Sequence, residues 1–390
     1  MRFWAVLLTT LTVQFAINAS RPLASYQSIG LDASLEQLGL IAAAFAVAGV
    51  LLAIPVGTAV DRRGSRRFVL GGTSLIAGAC FAHALTSSFV VIVVLQLVFG
   101  AGLILAAVGL QTLVASMGDP DRSEWRFGMF TATVSIGQVL GPLVGGLLSE
   151  GAIAAGLTSP DDPYGTRTAF AVLSAVVALA GTIAVLLPAS PPRSSAPPRR
   201  PMGGSVRSVL RSPSMLPAMW ASLVVLCAID ILAVYLPAVG IERGWSVGFV
   251  SLLLAVRAGA SFAVRLLLQI IVDRFGRRWP LVFMGLGAAI AIGVLAAPLS
   301  AVLAVIAMLF AGLSLGLAQP MTMAWVARAA PPELRGTALS VRLTANRVGQ
   351  MTIPLAVGIA AGFTGTGVVF VVLAMLLVSS SAVVARSKLA

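Results

Sequence analysis

Apolar residues along this 390-residue chain come in long runs, separated by short stretches where arginine, proline, serine and acidic residues collect. A helix that crosses a bilayer needs roughly 20 mostly apolar residues. On that length the runs give twelve spans: 3–27, 36–60, 68–87, 89–117, 127–150, 167–188, 215–239, 246–271, 279–298, 300–327, 337–362 and 364–385. Glycine and proline recur inside these runs, which membrane helices tolerate better than soluble ones. The expectation is an all-α polytopic membrane protein. The first run begins like a secretory signal, with Arg2 ahead of it and Asn18-Ala19-Ser20 resembling a cleavage site. Thr9, Thr10, Thr12 and Gln14 interrupt that run, and the repeat described below requires it, so it is read as the first helix.

Composition narrows the classes further. The chain is 58% hydrophobic and 10% charged, against about a quarter charged in soluble domains. That excludes an ordinary soluble enzyme, a disordered chain and a fibrous one. The net charge of +13 is not laid out as a basic stripe interleaved with aromatics, so no nucleic-acid partner is expected. With both termini in the cytoplasm, 19 basic residues fall on that side and three, Arg21, Arg167 and Arg243, on the other. This positive-inside bias predicts a multi-pass protein of the cytoplasmic membrane with both termini cytoplasmic. Cys80 and Cys227 lie in apolar runs and His83 is the sole histidine, so neither a disulfide framework nor a metal site is expected.

Residues 189–214 are rich in Pro, Ser and Arg and read as a cytoplasmic linker between a half spanning 1–188 and a half spanning 215–390. The halves repeat. GTAVDRRGSRR around Asp61 recurs as QIIVDRFGRRW around Asp273, GQVLGPLVGG from Gly137 recurs weakly as GQMTIPLAVG from Gly349, and Gly100 pairs with Gly312, all 212 residues apart. Two parallel six-helix halves are a transporter architecture, with the substrate site between them near the midplane.

Charges inside the spans point to that site. Asp230 and Arg257 lie at similar depth in adjacent spans and are expected to pair; Arg347 sits mid-span, and Arg21 lies in the outer third of the first helix. Asp230 is the sole carboxylate deep inside a span, hence the candidate proton carrier, and the surplus arginine favours an anionic or zwitterionic solute. Asn18, Gln138 and its repeat mate Gln350 are further candidates for the cavity, while Arg265 and Arg342 are expected to snorkel.

Two motifs carry a family resemblance. Gly57, Asp61, Arg62, Arg63, Gly64, Arg66 and Arg67 resemble the loop 2–3 signature of the major facilitator superfamily, repeated here as Asp273, Arg274, Gly276, Arg277 and Arg278. Gly137, Gly141, Pro142, Gly145 and Gly146 are similar to that superfamily's helix 5 motif of drug/proton antiporters. The chain departs from the pattern at Gln96, where the family has an arginine, and in lacking an acidic residue in the first helix. The resemblance implies alternating access between two six-helix halves and proton-coupled efflux of a small organic solute. A permease or exchanger for small organic anions is the alternative. On physical grounds Asp61 faces the negative end of its own helix dipole and needs a cationic partner, for which Arg335 or Arg342 is the candidate. The glycines four apart on the fifth helix let a neighbour approach closely, and Pro142 kinks it. No G-x-x-x-x-G-K-[ST] loop is present and the one lysine is Lys388, so this chain is not itself an ATP-driven pump. No catalytic constellation and no cofactor are expected beyond a coupling proton; the expected partners are the lipid bilayer and the solute, and the expected state is a monomer.

Overall fold

The computed structural model describes residues 2–117, 123–185, 187, 208–211, 214–330 and 334–387. They form the long helices α1 (Arg2–Ile29), α2 (Leu35–Arg63), α3 (Ser65–Leu85), α4 (Phe89–Ser116), α5 (Ser123–Ala154) and α6 (Thr166–Ala184). The second series is α7 (Met215–Glu242), α8 (Val247–Leu266), the short α9 (Leu268–Phe275), α10 (Arg278–Gly293), α11 (Ala301–Ala329), α12 (Arg335–Thr364) and α13 (Gly367–Arg386). Among the described residues there is no β-strand, only an isolated bridge between Ser159 and Asp162. Eleven of these helices are long and apolar enough to cross a membrane. The twelfth expected span, α12, has the length at 30 residues but carries Arg342, Asn346, Arg347 and Gln350 and is too polar to qualify. Most of the predicted linker, including 189–207, lies outside the described residues.

Local chemistry sets the helix ends. Ser34 and Gln37 form a reciprocal capping box at the start of α2, and the Ser246 and Ser300 hydroxyls accept backbone N–H groups that open α8 and α11. Between α2 and α3 the chain reverses at Gly64, whose φ of 84° is open to glycine and strained for other residues. At the start of α6 the Asp162 carboxylate accepts from the Thr166 and Arg167 amides, both at 2.9 Å. The predicted span 246–271 is broken at Leu267, and this is a correction. Beyond that point Gln269 and Asp273 make one face of α9 polar while Ile270 and Phe275 stay exposed on the other, a pattern suited to an interface and not to the hydrocarbon.

The two series pack as repeats of one another. A Cβ at Gly100 would run into the Phe45 carbonyl and Ala48, and one at Gly312 would meet the Arg257 carbonyl and Ala260. Each of those partners is again 212 residues from its mate. Between the series α2 packs along α12 and α5 along α8, the two pairings that the repeat makes equivalent. The closest approaches lie toward the ends holding the α1–α2 and α7–α8 turns, called here the far side. There Gly39 abuts the Pro354 carbonyl, Gly358 the Leu35 carbonyl and Gly362 the Glu36 side chain. Gly248 donates its amide to Glu150 Oε1 at 2.9 Å, and Tyr235 Oη lies 3.0 Å from the Pro354 carbonyl and 3.2 Å from that of Leu35. Toward the opposite side, which holds the termini, Gly57 on α2 and Gly259 on α8 have nothing within 4 Å of a Cβ position. The halves are drawn together at the far side.

The α5 glycines form a close seam with α1 in the first half. A Cβ at Gly137 would lie 2.6 Å from Gln14 Cβ, one at Gly141 2.6 Å from the Phe15 carbonyl, and one at Gly145 3.1 Å from Ala19 Cβ. Gly146 faces Ser251 of α8 instead, so the stripe serves two neighbours, and Pro142 lies within the same helix. Gly141→Leu, which drives a side chain into backbone, is expected to cost about 3 kcal/mol or more, whereas Gly57→Ala fills open space and leaves stability unchanged. Thermal unfolding of purified protein in detergent checks both; equal melting temperatures for wild type and Gly141→Leu would contradict the close α1–α5 contact.

Candidate functional site: a charged cluster in the bundle centre

Three helices bring charge to the middle of the bundle. Counting 1.5 Å per residue, Arg21 lies about 12 Å from the far end of α1, Asp230 about 18 Å from that of α7 and Arg257 about 15 Å from that of α8. The sequence expectation paired Asp230 with Arg257. In the structure Asp230 instead pairs with Arg21, through Arg21 Nη1 and Asp230 Oδ1. Neighbouring spans in sequence are not neighbours in the bundle: α7 faces α1 across the central axis as well as packing on α12. The other carboxylate oxygen, Oδ2, accepts from Gln350 Nε2 of α12 at 2.6 Å, and Gln350 Oε1 in turn accepts from Arg347 Nη1 at 3.2 Å. Arg21, Asp230, Gln350 and Arg347 therefore form one chain of charge-assisted hydrogen bonds running from the first half into the second. The Arg21 guanidinium also lies over the Phe45 ring of α2, 4.3 Å from its centroid. Arg347 runs along α2 at Gly49, where a Cβ would come within 2.9 Å of its Cδ.

Arg257 is left over. It is 8% exposed, as is Asp230, and its Nε has no hydrogen-bond partner. The repeat explains its place, since Arg257 is the mate of Phe45 and so stands on the wall opposite the ring that supports Arg21. Around the centre three guanidiniums face one carboxylate, and a low-dielectric interior makes that surplus costly unless water or an anion offsets it. A small cavity at the cluster is lined by Arg21, Ile41, Ala42, Phe45, Gln96, Asp230 and Val234.

Other expected site residues fall elsewhere. Asn18 is tied to its own helix, donating to the Gln14 carbonyl at 2.7 Å. Gln138 is half-buried on α5 and takes no part in the Asp230 chain. The expectation that Arg265 and Arg342 snorkel is corrected. Arg265 Nε donates to the Gly316 carbonyl at 3.0 Å, and Arg342 is 3% exposed with Nη2 3.5 Å from the Gln319 carbonyl and Thr322 Oγ1. At the loop motif, Arg62, Arg63 and Arg67 are exposed and Arg66 donates to the Val185 carbonyl. The side chains of Asp61 and Arg335 lie outside the described residues, while Arg342 bonds within its own half. In the repeat copy Asp273 accepts from Gln269 at 2.9 Å on its own helix, Gly276 turns the chain at φ 69°, Arg277 is exposed, and Arg274 and Arg278 lie over Phe275 and Trp279.

Sequence reasoning left Phe45 and His83 outside the site and gave Gln96 no role beyond a departure from the family pattern. Phe45 carried no signal on its own, because an aromatic in an apolar run is ordinary; its repeat relation to Arg257 was the available clue. Among the described residues no group of three or more His, Cys, Asp or Glu side chains converges to hold a metal.

Comparison with known proteins agrees with this architecture. Aligned over 114 residues at 32% identity is the MFS-type transporter ppzB of Metarhizium majus, covering 29% of this chain and 25% of that protein. The quinolone resistance protein NorA of Staphylococcus aureus aligns over 124 residues at 27% identity, covering 32% and 31%. The aligned stretch thus spans about a quarter to a third of these relatives. Among solved structures, the nucleoside transporter NupG superposes with a TM-score of 0.78 at 14% identity over 100% of both chains. A bacterial homologue of the human lysosomal transporter Spinster, inward-facing and occupied, gives 0.80 at 18% identity, covering 99% and 97%. A D-xylose–proton symporter gives 0.77 at 16%, covering 99% and 98%. The profile of the Major Facilitator Superfamily matches residues 6–354, and with the helix order, the repeat and the central charged cluster already in place, the chain belongs to that superfamily of membrane transporters.

Proposed function

We propose that this transporter exports a small organic solute from the cytoplasm by alternating access, in exchange for protons bound at Asp230. The observation that supports it best is the Arg21–Asp230 contact, a charge pair made between the two halves at mid-depth. A proton on the carboxylate removes its negative charge and with it most of the attraction that joins α1 to α7. Proton binding would thereby be coupled to the rocking of the halves. The positive-inside count supports a cytoplasmic termini side, and the close far-side contacts then fit a bundle that opens toward the cytoplasm. The α5 seam, of the kind found in drug/proton antiporters, and the similarity to NorA favour export.

A second reading, an organic-anion permease, is favoured by the unpaired Arg257 and by the three-to-one excess of guanidinium over carboxylate. The two make opposite predictions through linkage. If the solute needs Asp230 ionised, protonation weakens its binding and the exchange is antiport. If an anionic solute needs Arg21 released from Asp230, protonation strengthens its binding and the two move together. Solute affinity measured against pH in proteoliposomes decides the sign: tightening as pH rises supports the exporter, tightening as pH falls supports the anion permease.

Under either reading Asp230→Asn is expected to abolish pH-gradient-driven transport, while solute exchange without a gradient weakens under the exporter reading and persists under the permease reading; full gradient-driven uptake into proteoliposomes by this variant would remove Asp230 from the coupling. Arg257→Gln is expected to weaken binding of carboxylate solutes at least tenfold, about 1.4 kcal/mol, with little change for cations. In the loop motif, Asp61→Asn is expected to lower turnover several-fold at unchanged expression, and Asp273→Asn less so, as measured by initial rates in vesicles.

A further inference from the structure

His83 is fully buried within the first half and is the sole histidine in the sequence. Its surroundings fix its hydrogens one step at a time. Gln27 Nε2 donates to two backbone carbonyls, those of His83 at 2.8 Å and Thr86 at 3.3 Å. Carbonyls only accept, so the Gln27 amide is oriented with its oxygen elsewhere. That oxygen lies 2.7 Å from His83 Nδ1, which must therefore carry the hydrogen. Neutral imidazole has a single N–H, so His83 Nε2 is a bare acceptor. The group facing it is Gln96 Nε2, at 3.3 Å. The ring is further locked by stacking on Phe170, 4.3 Å between centroids at 10°. The chain of constraints ends at Gln96: its nitrogen is committed to His83, which leaves its oxygen as the acceptor of a side chain lining the same cavity as Arg21 and Asp230.

We propose that Gln96 Oε1, aimed by the Gln27–His83 pair, is the alternate acceptor for the Arg21 guanidinium when Asp230 is protonated. This rests on Asp230 being the proton site, as set out above. In the ionised state the carboxylate holds Arg21. A proton arriving from solvent on an Asp230 oxygen cancels that charge and leaves Arg21 facing a neutral carbonyl oxygen, for which a second neutral acceptor lining the same cavity then competes on equal terms. The charged and titratable groups around Asp230 are Arg21 from α1, Arg347 through Gln350 from α12, Arg257 from α8, and Cys227 on α7 itself. The protonated Asp230 keeps one neutral carbonyl oxygen and the Gln350 oxygen already accepts from Arg347, while on the cavity wall α2 contributes only Ile41, Ala42 and Phe45, so Gln96 is the further neutral acceptor among the lining side chains. Around His83 the side chains are Gln27, Gln96, Phe99 and Phe170, none of them charged, so the orientation of Gln96 does not depend on a second titration. Gln96 and His83 are positioning residues: they set where Arg21 goes and do not carry the proton.

Two measurements test this without a known solute. Because there is one histidine, 15N-histidine labelling of the full-length protein in nanodiscs gives a single-site spectrum. The expected result is a protonated Nδ1 and a bare, hydrogen-bonded Nε2; an Nε2–H tautomer would turn the Gln96 oxygen toward His83 and overturn the proposal. The second is a thermal-stability cycle with Asp230→Asn, which imitates the protonated carboxylate, and Gln96→Met. The loss in the double variant is expected to exceed the sum of the single losses, because Arg21 is then left with only the neutral amide oxygen at position 230. Additive losses overturn the role of Gln96. Should Gln96→Met fail to fold, Gln96→Glu replaces it: a carboxylate there is expected to capture Arg21 and to flatten the pH profile of proton-driven exchange with ethidium as the probe solute, and an unchanged profile counts against the proposal. If Asp230→Asn keeps full proton coupling, the proton-site reading fails first; if coupling is lost while the cycle is additive, the assignment of Gln96 alone falls.

Discussion

Putting a guanidinium and a carboxylate in the middle of an apolar bundle is the constraint from which the rest of this molecule follows. Neither group can stay ionised in hydrocarbon alone, so each must be placed within reach of the other or of water. Arg21 and Asp230 meet this requirement across the interface between the halves. That choice ties the electrostatics of the centre to the packing of α1, α7 and α12. The supporting contacts are short or specific: the Phe45 ring beneath the guanidinium, and Gln350 on the second carboxylate oxygen. A pair made within one half would stabilise that half and be indifferent to its motion. One made between halves is sensitive to their relative position.

The packing around the cluster divides into seams within each half and seams between the halves. Within a half, glycine lets helices touch backbone to backbone, as α5 does on α1 and α4 on α2. Such contacts have no slack, because the displaced volume is main chain. Between halves the far-side seams combine glycine contacts, Gly39 on the Pro354 carbonyl and Gly358 on that of Leu35, with hydrogen bonds from the Gly248 amide to the Glu150 carboxylate and from the Tyr235 hydroxyl to the Leu35 carbonyl. Each such hydrogen bond is worth about 1–3 kcal/mol net, small beside the packing within either half.

The fold was legible because its signals are long or repeated. Spans of twenty apolar residues and a constant 212-residue offset survive local exceptions, and the offset reappears in three dimensions as matched contacts at Gly100 and Gly312. The site was legible in its members and less so in its wiring. Asp230, Arg21, Arg347 and Gln350 were visible as polar residues in apolar runs, yet their connections depend on which helices face each other, and α7 meets α1 rather than pairing through α8. Depth along a span is a one-dimensional coordinate; it could place Asp230 and Arg257 level without showing that they stand apart. The break at Leu267 was missed because the residues after it, Leu268, Ile270, Ile271 and Val272, continue an apolar run and only the spacing of Gln269 and Asp273 gives the face away. Arg342 was misplaced because proximity to a helix end suggests escape to the interface, while the Gln319 carbonyl and Thr322 hydroxyl offer partners inside.

The polarity of α12 has a consequence for how the chain is made. With Arg342 and Arg347 inside it, each opposing insertion by about 2.5–3.5 kcal/mol near a helix centre, this segment does not partition into lipid on its own merits. Its polar groups find their partners on segments synthesised earlier: Asn346 meets Ser222, Gln350 meets Asp230, and Arg347 lies along Gly49. This helix therefore depends on α2 and α7, both made before it, to receive its polar groups inside the bundle. The residues that join the two halves at the centre also make one helix of the second half rely on the first for its place in the membrane.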